Sequence, residues 1–165
     1  MKTLIAFHGK KSIKDKYVAR VKAHAEADEI VKGKYWENGK GCAVGCTIES
    51  SNHPHDTFQK ELGISWQLAL VEDSLFENLK NGEAKAFPLE FLEAVPIGAD
   101  TDLVYKKFVM WVLGDEKDGL INVIKGEKKK DLLQRVYNLY EKSLKTEIKQ
   151  EEWKKLADEA YSAYA

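Results

Sequence analysis

From Ser12 to the C-terminus, apolar residues recur in steps of three and four, and the runs that carry them are punctuated by glycine or proline. Such a pattern gives each helix an apolar stripe that has to be buried against other helices. Ser12 can cap with Asp15, and Ile13, Tyr17, Val21, His24, Asp28 and Val31 follow at helical steps. This predicts a helix from Ile13 to about Lys32, stopped by Gly33, with Ile13, Tyr17, Val18, Val21, Ala25 and Ile30 inward. Lys14, Lys16, Lys22, Glu26 and Glu29 fall on its wet side.

The same reading predicts a short helix from about Cys42 to Glu49 and another from Thr57 to Leu62 ending at Gly63. A longer one, capped by Ser65 and carrying Trp66, Leu68, Leu70, Leu75 and Phe76, is expected to close at Asn81-Gly82. Pro88 suits the first turn of a short helix through Phe91 and Leu92. Leu103 to Leu113, capped by Thr101 or Asp100, is apolar nearly all round and so is expected in the middle of the core. Asp115 to Gly119 reads as a polar turn and Leu120 to Ile124 as a short strand or helix. Two more helices are expected, about Lys129 to Leu144 and Glu151 to Tyr164, the last anchored by Trp153, Leu156, Ala160 and Tyr164. Thr3 to Phe7 is a single strand or an extended arm. The expectation is an all-α, single-domain helical bundle of six to eight helices over residues 1–165, with one short N-terminal strand or arm.

Composition narrows the function classes. Of 165 residues, 44% are apolar and 32% charged, and 27 acids against 26 bases leave a net charge of −1. That balance argues against a dedicated nucleic-acid or membrane-surface binder. The longest strongly apolar run, Phe108 to Leu113, falls far short of the roughly 20 residues of a membrane span. No export signal is legible at the N-terminus, so a cytoplasmic protein is expected, and its two cysteines are expected as free thiols. Lys125 to Lys130 is basic but lacks interleaved aromatics, which favours a solvated turn over a nucleic-acid site.

Reactive and small residues crowd into one stretch, Tyr35 to His55, which holds both cysteines and two of the four histidines. Asn38-Gly39-Lys40-Gly41 reads as a turn leading into a helix start, where unpaired N–H groups and Lys40 can receive an anion. The plainer reading is turn chemistry alone. Gly41, Cys42, Gly45 and Cys46 stack at helical spacing, which favours close packing; the functional version makes Cys42 a thiolate nucleophile. Cys42, Cys46, His53 and His55 form an alternative zinc set, although the two histidines are only two apart and an exposed polar loop is favoured; no cofactor is predicted. His24 is expected to bond Asp28, either structurally or as an oriented base. Glu72, Asp73 and Glu77, with Glu93 beyond, lack Glu-x-x-His pairs and read as a solvated face. The ligand-binding candidates are therefore Trp36, Asn38, Gly39, Lys40, Gly41 and Cys42, with His8 and His24 nearby.

Two resemblances bear on this stretch. His8-Gly9 followed by Tyr-Trp-x3-Gly-Lys-Gly is similar to the start of ADP-ribosyltransferases, but those are β-rich and this chain lacks their later strands. Phe7-His8-Gly9-Lys10, Tyr35 to Thr47, and Phe91 to Asp100 together resemble an uncharacterised family of small bacterial and phage-associated proteins, over about residues 5 to 115. That resemblance implies only that the three segments converge in one fold; it brings no activity, cofactor or catalytic residue. The reading that follows is a binding domain for a small polar or anionic ligand, or a protein partner, at Trp36 to Cys46. The alternative is an enzyme using Cys42 or a Cys/His-bound metal at the same place.

Overall fold

The computed structural model describes residues 3–164; the side chain of Tyr164, and with it that residue's predicted anchoring, lies outside what is described. The architecture is all-α. Among the described residues there are eight α-helices and one two-stranded sheet. Contacts gather into two compact units, divided between Asp102 and Leu103.

In the first unit, α1 (Lys11–Glu26) starts one residue after a left-handed turn at Ala6–Gly9. Ser12 lies inside α1 rather than capping it, because the helix begins after Lys10. The helix also ends well before Gly33. Asp28 takes a left-handed φ of 55°, Asp28 N–H reaches Ala25 O at 3.3 Å, and Glu29 N–H reaches His24 O at 3.0 Å. That is a Schellman stop with aspartate where glycine is usual, and its short polar side chain tolerates the conformation. Ile30 is buried, but through a parallel bridge to Gly41 rather than on a helix face.

The hairpin follows. β1 (Trp36–Glu37) pairs antiparallel with β2 (Lys40–Gly41), and Asn38 and Gly39 turn between them with φ of 53° and 78°. Two left-handed residues in a two-residue loop make the twisted turn that Asn-Gly favours. Then α2 (Ala43–Ile48), buried at every residue, sits against α1, α3, α4 and α5. It is the centre of this unit.

Around it, α3 (Pro54–Leu62) ends at Gly63, and α4 (Trp66–Asn78) is capped by the Ser65 hydroxyl, which accepts Leu68 N–H at 3.4 Å. α5 (Asn81–Ala94) corrects two expectations: Asn81-Gly82 opens this helix instead of closing α4, and Pro88 lies in its interior. Pro88 is fully buried there, so burial outweighs the backbone hydrogen bond that a mid-helix proline forfeits. Lys14 and Lys32 cap the ends of α5 and α4. Lys14 Nζ donates to the carbonyls of Glu93 and Val95 at 2.7 Å each, and Lys32 Nζ to those of Glu77, at 3.1 Å, and Leu79.

Of Thr3 to Phe7, expected as a strand or extended arm, Leu4 to Ala6 run along Gly98 to Thr101, whereas Phe7 belongs to the left-handed turn. Ala6 N–H bonds Ala99 O at 2.9 Å, Gly98 N–H bonds Ala6 O at 3.0 Å, and Thr101 N–H bonds Leu4 O at 3.0 Å. The Phe7 and Phe91–Asp100 regions singled out by the resemblance are therefore adjoining. Phe7, Val21, Val44, Phe58, Leu62, Ile64, Phe76 and Leu92 fill the core.

The second unit continues α6 (Thr101–Gly114) into a 3-10 turn (Leu120–Asn122), α7 (Glu127–Ser143) and α8 (Gln150–Tyr164). Tyr140 stacks edge-on between Tyr105 and Trp153, with ring centroids 6.4 and 4.8 Å away, and Lys106 Nζ donates to Ser143 O at 3.0 Å. The expected central role of α6 is not observed: Thr101 is its buried residue, and Trp111 is 53% exposed. An all-round apolar sequence names no single face, so it could not say how much of the helix would be covered.

Candidate functional site

The predicted site residues part into three places. Asn38, Gly39 and Lys40 form the hairpin turn and its exit, with Asn38 and Lys40 in solvent. Gly41 is tied on both sides, its N–H to Glu29 O at 3.1 Å and its O to Val31 N–H at 2.8 Å. Cys42 N–H is taken by Lys34 O at 2.8 Å, and Gly45 N–H points at Cys42 Sγ at 3.5 Å. Much of the backbone expected to receive an anion is thus occupied by the protein itself.

His24 and Trp36 do meet, edge to face, with ring centroids 5.2 Å apart. His24 pairs with Glu29 and Glu49 rather than Asp28: Nδ1 is 2.6 Å from Glu29 Oε2 and Nε2 is 3.3 Å from Glu49 Oε1. Asp28, turned outward by its left-handed backbone, pairs with Lys85 instead, and that hydrogen bond lowers its pKa. Arg20 completes the cluster at 3.2 Å from Glu49, with a bond to Thr47 O at 3.0 Å. Both ring nitrogens of His24 and both carboxylate oxygens of Glu49 have partners inside this network, which ties α1 to the end of α2. His8 is elsewhere; its Nε2 sits 3.1 Å from Lys60 O.

The glycines explain why the stretch reads as it does. A Cβ on Gly45 would stand 1.4 Å from Tyr35 O, and one on Gly41 would stand 2.0 Å from it. Small residues here let the Tyr35 backbone lie directly on the start of α2. Tyr35 and Cys42 are thereby brought to one wall of a pocket of about 230 Å³, lined also by Gly33, Lys34, Asp73 and Glu77.

Asp73 and Glu77 lie four apart on α4 and so share a face. The expectation of a solvated acidic face is wrong for two of the carboxylates: Glu72 is 0% exposed and Asp73 9%. Glu77 is on the rim, accepting Gly33 N–H at 3.0 and 3.2 Å. Asp73 Oδ2 faces His55 Nε2 at 3.4 Å, and the His55 ring stands edge-on to Tyr35 at 5.7 Å. Asp73 Oδ1 and both oxygens of Glu72 are buried outside hydrogen-bond geometry, although the Tyr35 hydroxyl and the Cys42 thiol are turned towards the Asp73 carboxyl group as donors.

Electrostatics fix the protonation of the neighbours. Burial pushes the Cys42 thiol far above its ordinary 9.0, opposed by the Gly45 N–H and reinforced by the Asp73 charge. Burial, then the Asp73 charge, also raises Tyr35, and Cys46 is pushed up to about 12, again chiefly by burial. Glu72 is held well above 4.5 by burial and by Asp73 beside it. Cys46 spends its thiol internally, donating to Gly41 O at 3.2 Å. His53 is exposed, and among the described residues no three His, Cys, Asp or Glu side chains gather as metal ligands.

Cys42 is legible in the sequence as a site residue; its companions Asp73, Tyr35 and Glu77 are not. The only available signal was that Glu72 and Asp73 interrupt an otherwise apolar helix face. No family model, characterised protein or solved structure matches the chain. Among the described residues no helix is long and apolar enough to cross a membrane.

Proposed function

We propose that the protein is a binding domain for a small polar ligand, held in the pocket between the Tyr35–Cys42 segment and α4. The observation that carries this reading is Asp73: a buried residue in the pocket wall, its side chain 12% exposed, with Oδ1 outside hydrogen-bond geometry. A buried polar atom without a partner costs about 1–3 kcal/mol, more if charged, so a site that keeps one is suited to receiving a partner from outside. The pocket volume of about 230 Å³ is below the roughly 300–1,000 Å³ of drug-sized sites, which restricts the ligand to a small molecule or the end group of a larger one.

The enzyme reading built on Cys42 has less support, because a thiol raised by burial and by a neighbouring carboxylate is a poor nucleophile at neutral pH. A thermal-shift screen of small polar compounds tests the binding reading. A hit is expected to raise the Tm of the wild type and to lose that effect in Asp73→Asn or Glu77→Gln. Hits that stabilise all three proteins equally, or a screen with none, would sink it.

A further inference from the structure

Resting on the reading of this pocket as a ligand site, we infer that its occupant presents a small organic cation, a primary ammonium or a guanidinium, to Asp73 and Glu77. Two independent observations meet here. The pocket is walled by two carboxylates from one face of α4, one deep and one at the rim. Within it, the deep carboxylate has one oxygen near His55 and the other buried outside hydrogen-bond geometry, with the Tyr35 hydroxyl and the Cys42 thiol as the donors turned towards the carboxyl group.

The lysine of the lining, and the one two residues before it, are engaged away from that oxygen. Lys34 Nζ, on the same lining, is paired with Glu37 at 2.7 Å, and Lys32 Nζ caps the carbonyls at the end of α4. Tyr35 and Cys42, the other polar groups of the wall, remain neutral because burial, the Asp73 charge and hydrogen bonding to its carboxyl group hold their protons on. A cationic end group would therefore meet two acceptors of opposite charge and two neutral groups. An anion would add a third negative charge to a low-dielectric pocket, where like charges repel strongly. A metal ion is a poorer match, since no trio of His, Cys, Asp or Glu ligands converges among the described residues.

The test is an amide NMR titration of the isotope-labelled full chain at constant ionic strength. The probes are n-propylammonium and methylguanidinium, with 1-propanol and N-methylurea as neutral counterparts and propionate as the anion. At least one cation is expected to give saturable shifts at Gly33, Tyr35 and Cys42, with affinity tenfold or more above its neutral counterpart. Asp73→Asn is expected to weaken that binding at least tenfold. Glu77→Gln, at the exposed rim and still able to accept Gly33 N–H through its amide oxygen, should weaken it several-fold, and Glu83→Gln on α5 should leave it unchanged. Neutral probes or propionate binding at the same amides as well as the cations do would overturn the cation assignment and leave the pocket as a polar-ligand site. Silence of all five probes at those amides would overturn both.

Discussion

Glu72 is the residue whose environment departs furthest from what its chemistry prefers. It is completely buried, has no partner for either oxygen, and sits beside Asp73, so the folded protein keeps it protonated far above 4.5. At low pH the folded and unfolded chains both carry the proton, and the contribution to stability is fully present. As the pH rises past about 4.3 the unfolded chain releases its proton while the folded one does not, so stability falls until the folded pKa is passed. Glu72→Gln removes that slope. Denaturant unfolding at pH 5 and pH 8 should find the variant gaining on the wild type at the higher pH; parallel curves would mean Glu72 is ionised in the fold. The glycines give a second pair of expectations with opposite signs. Gly45→Ala forces a Cβ into Tyr35 O and should cost about 3 kcal/mol or more. Gly82→Ala, helical with open space around it, should stabilise by about 0.5 kcal/mol. Cys42 and Cys46, both buried with raised pKa, should stay unmodified by a thiol reagent at pH 7.5 until the chain is unfolded.

Among the elements of the first unit, one hydroxyl joins two. Thr101 Oγ1, at the start of α6, accepts Ser65 N–H at 3.1 Å and faces the carbonyls of Gly63 at 3.2 Å and Leu4 at 3.3 Å. It holds the arm and the α3–α4 corner at a single buried point. Thr101→Val keeps the shape and strands those groups, so a loss of about 2 kcal/mol is expected in urea unfolding, with the secondary structure intact by circular dichroism. The identity of α2 as the central helix follows from the same kind of reasoning. Its small side chains allow neighbours to approach from every side, whereas the larger apolar residues of α6 leave Trp111 and Val104 exposed.

At the scale of the whole molecule, the two units differ in how much apolar surface they enclose. Among the described residues, the buried apolar side chains of the second unit are Leu133, Leu139 and Ile148, while the first encloses four aromatic residues and many aliphatic ones. Local opening is easier where fewer apolar contacts must be broken. Amides of α2 and α4 should therefore exchange with solvent more slowly than those of α7 and α8; equal protection would contradict that ranking. The sequence by itself determined the all-α class, the Ser65 cap, the Gly63 stop, the Asn-Gly turn and the small-residue character of Gly41 to Cys46. These are legible because periodicity, capping and left-handed glycine act between residues close in the chain. Only the tertiary structure decided that α1 stops at Asp28, that His24 locks onto Glu29 and Glu49, and that Tyr35, Cys42, Asp73 and Glu77 share a pocket. The reason is one of range: a carboxylate on an amphipathic helix reads as solvated until the chain some thirty residues upstream folds back over it, and no local pattern records that approach.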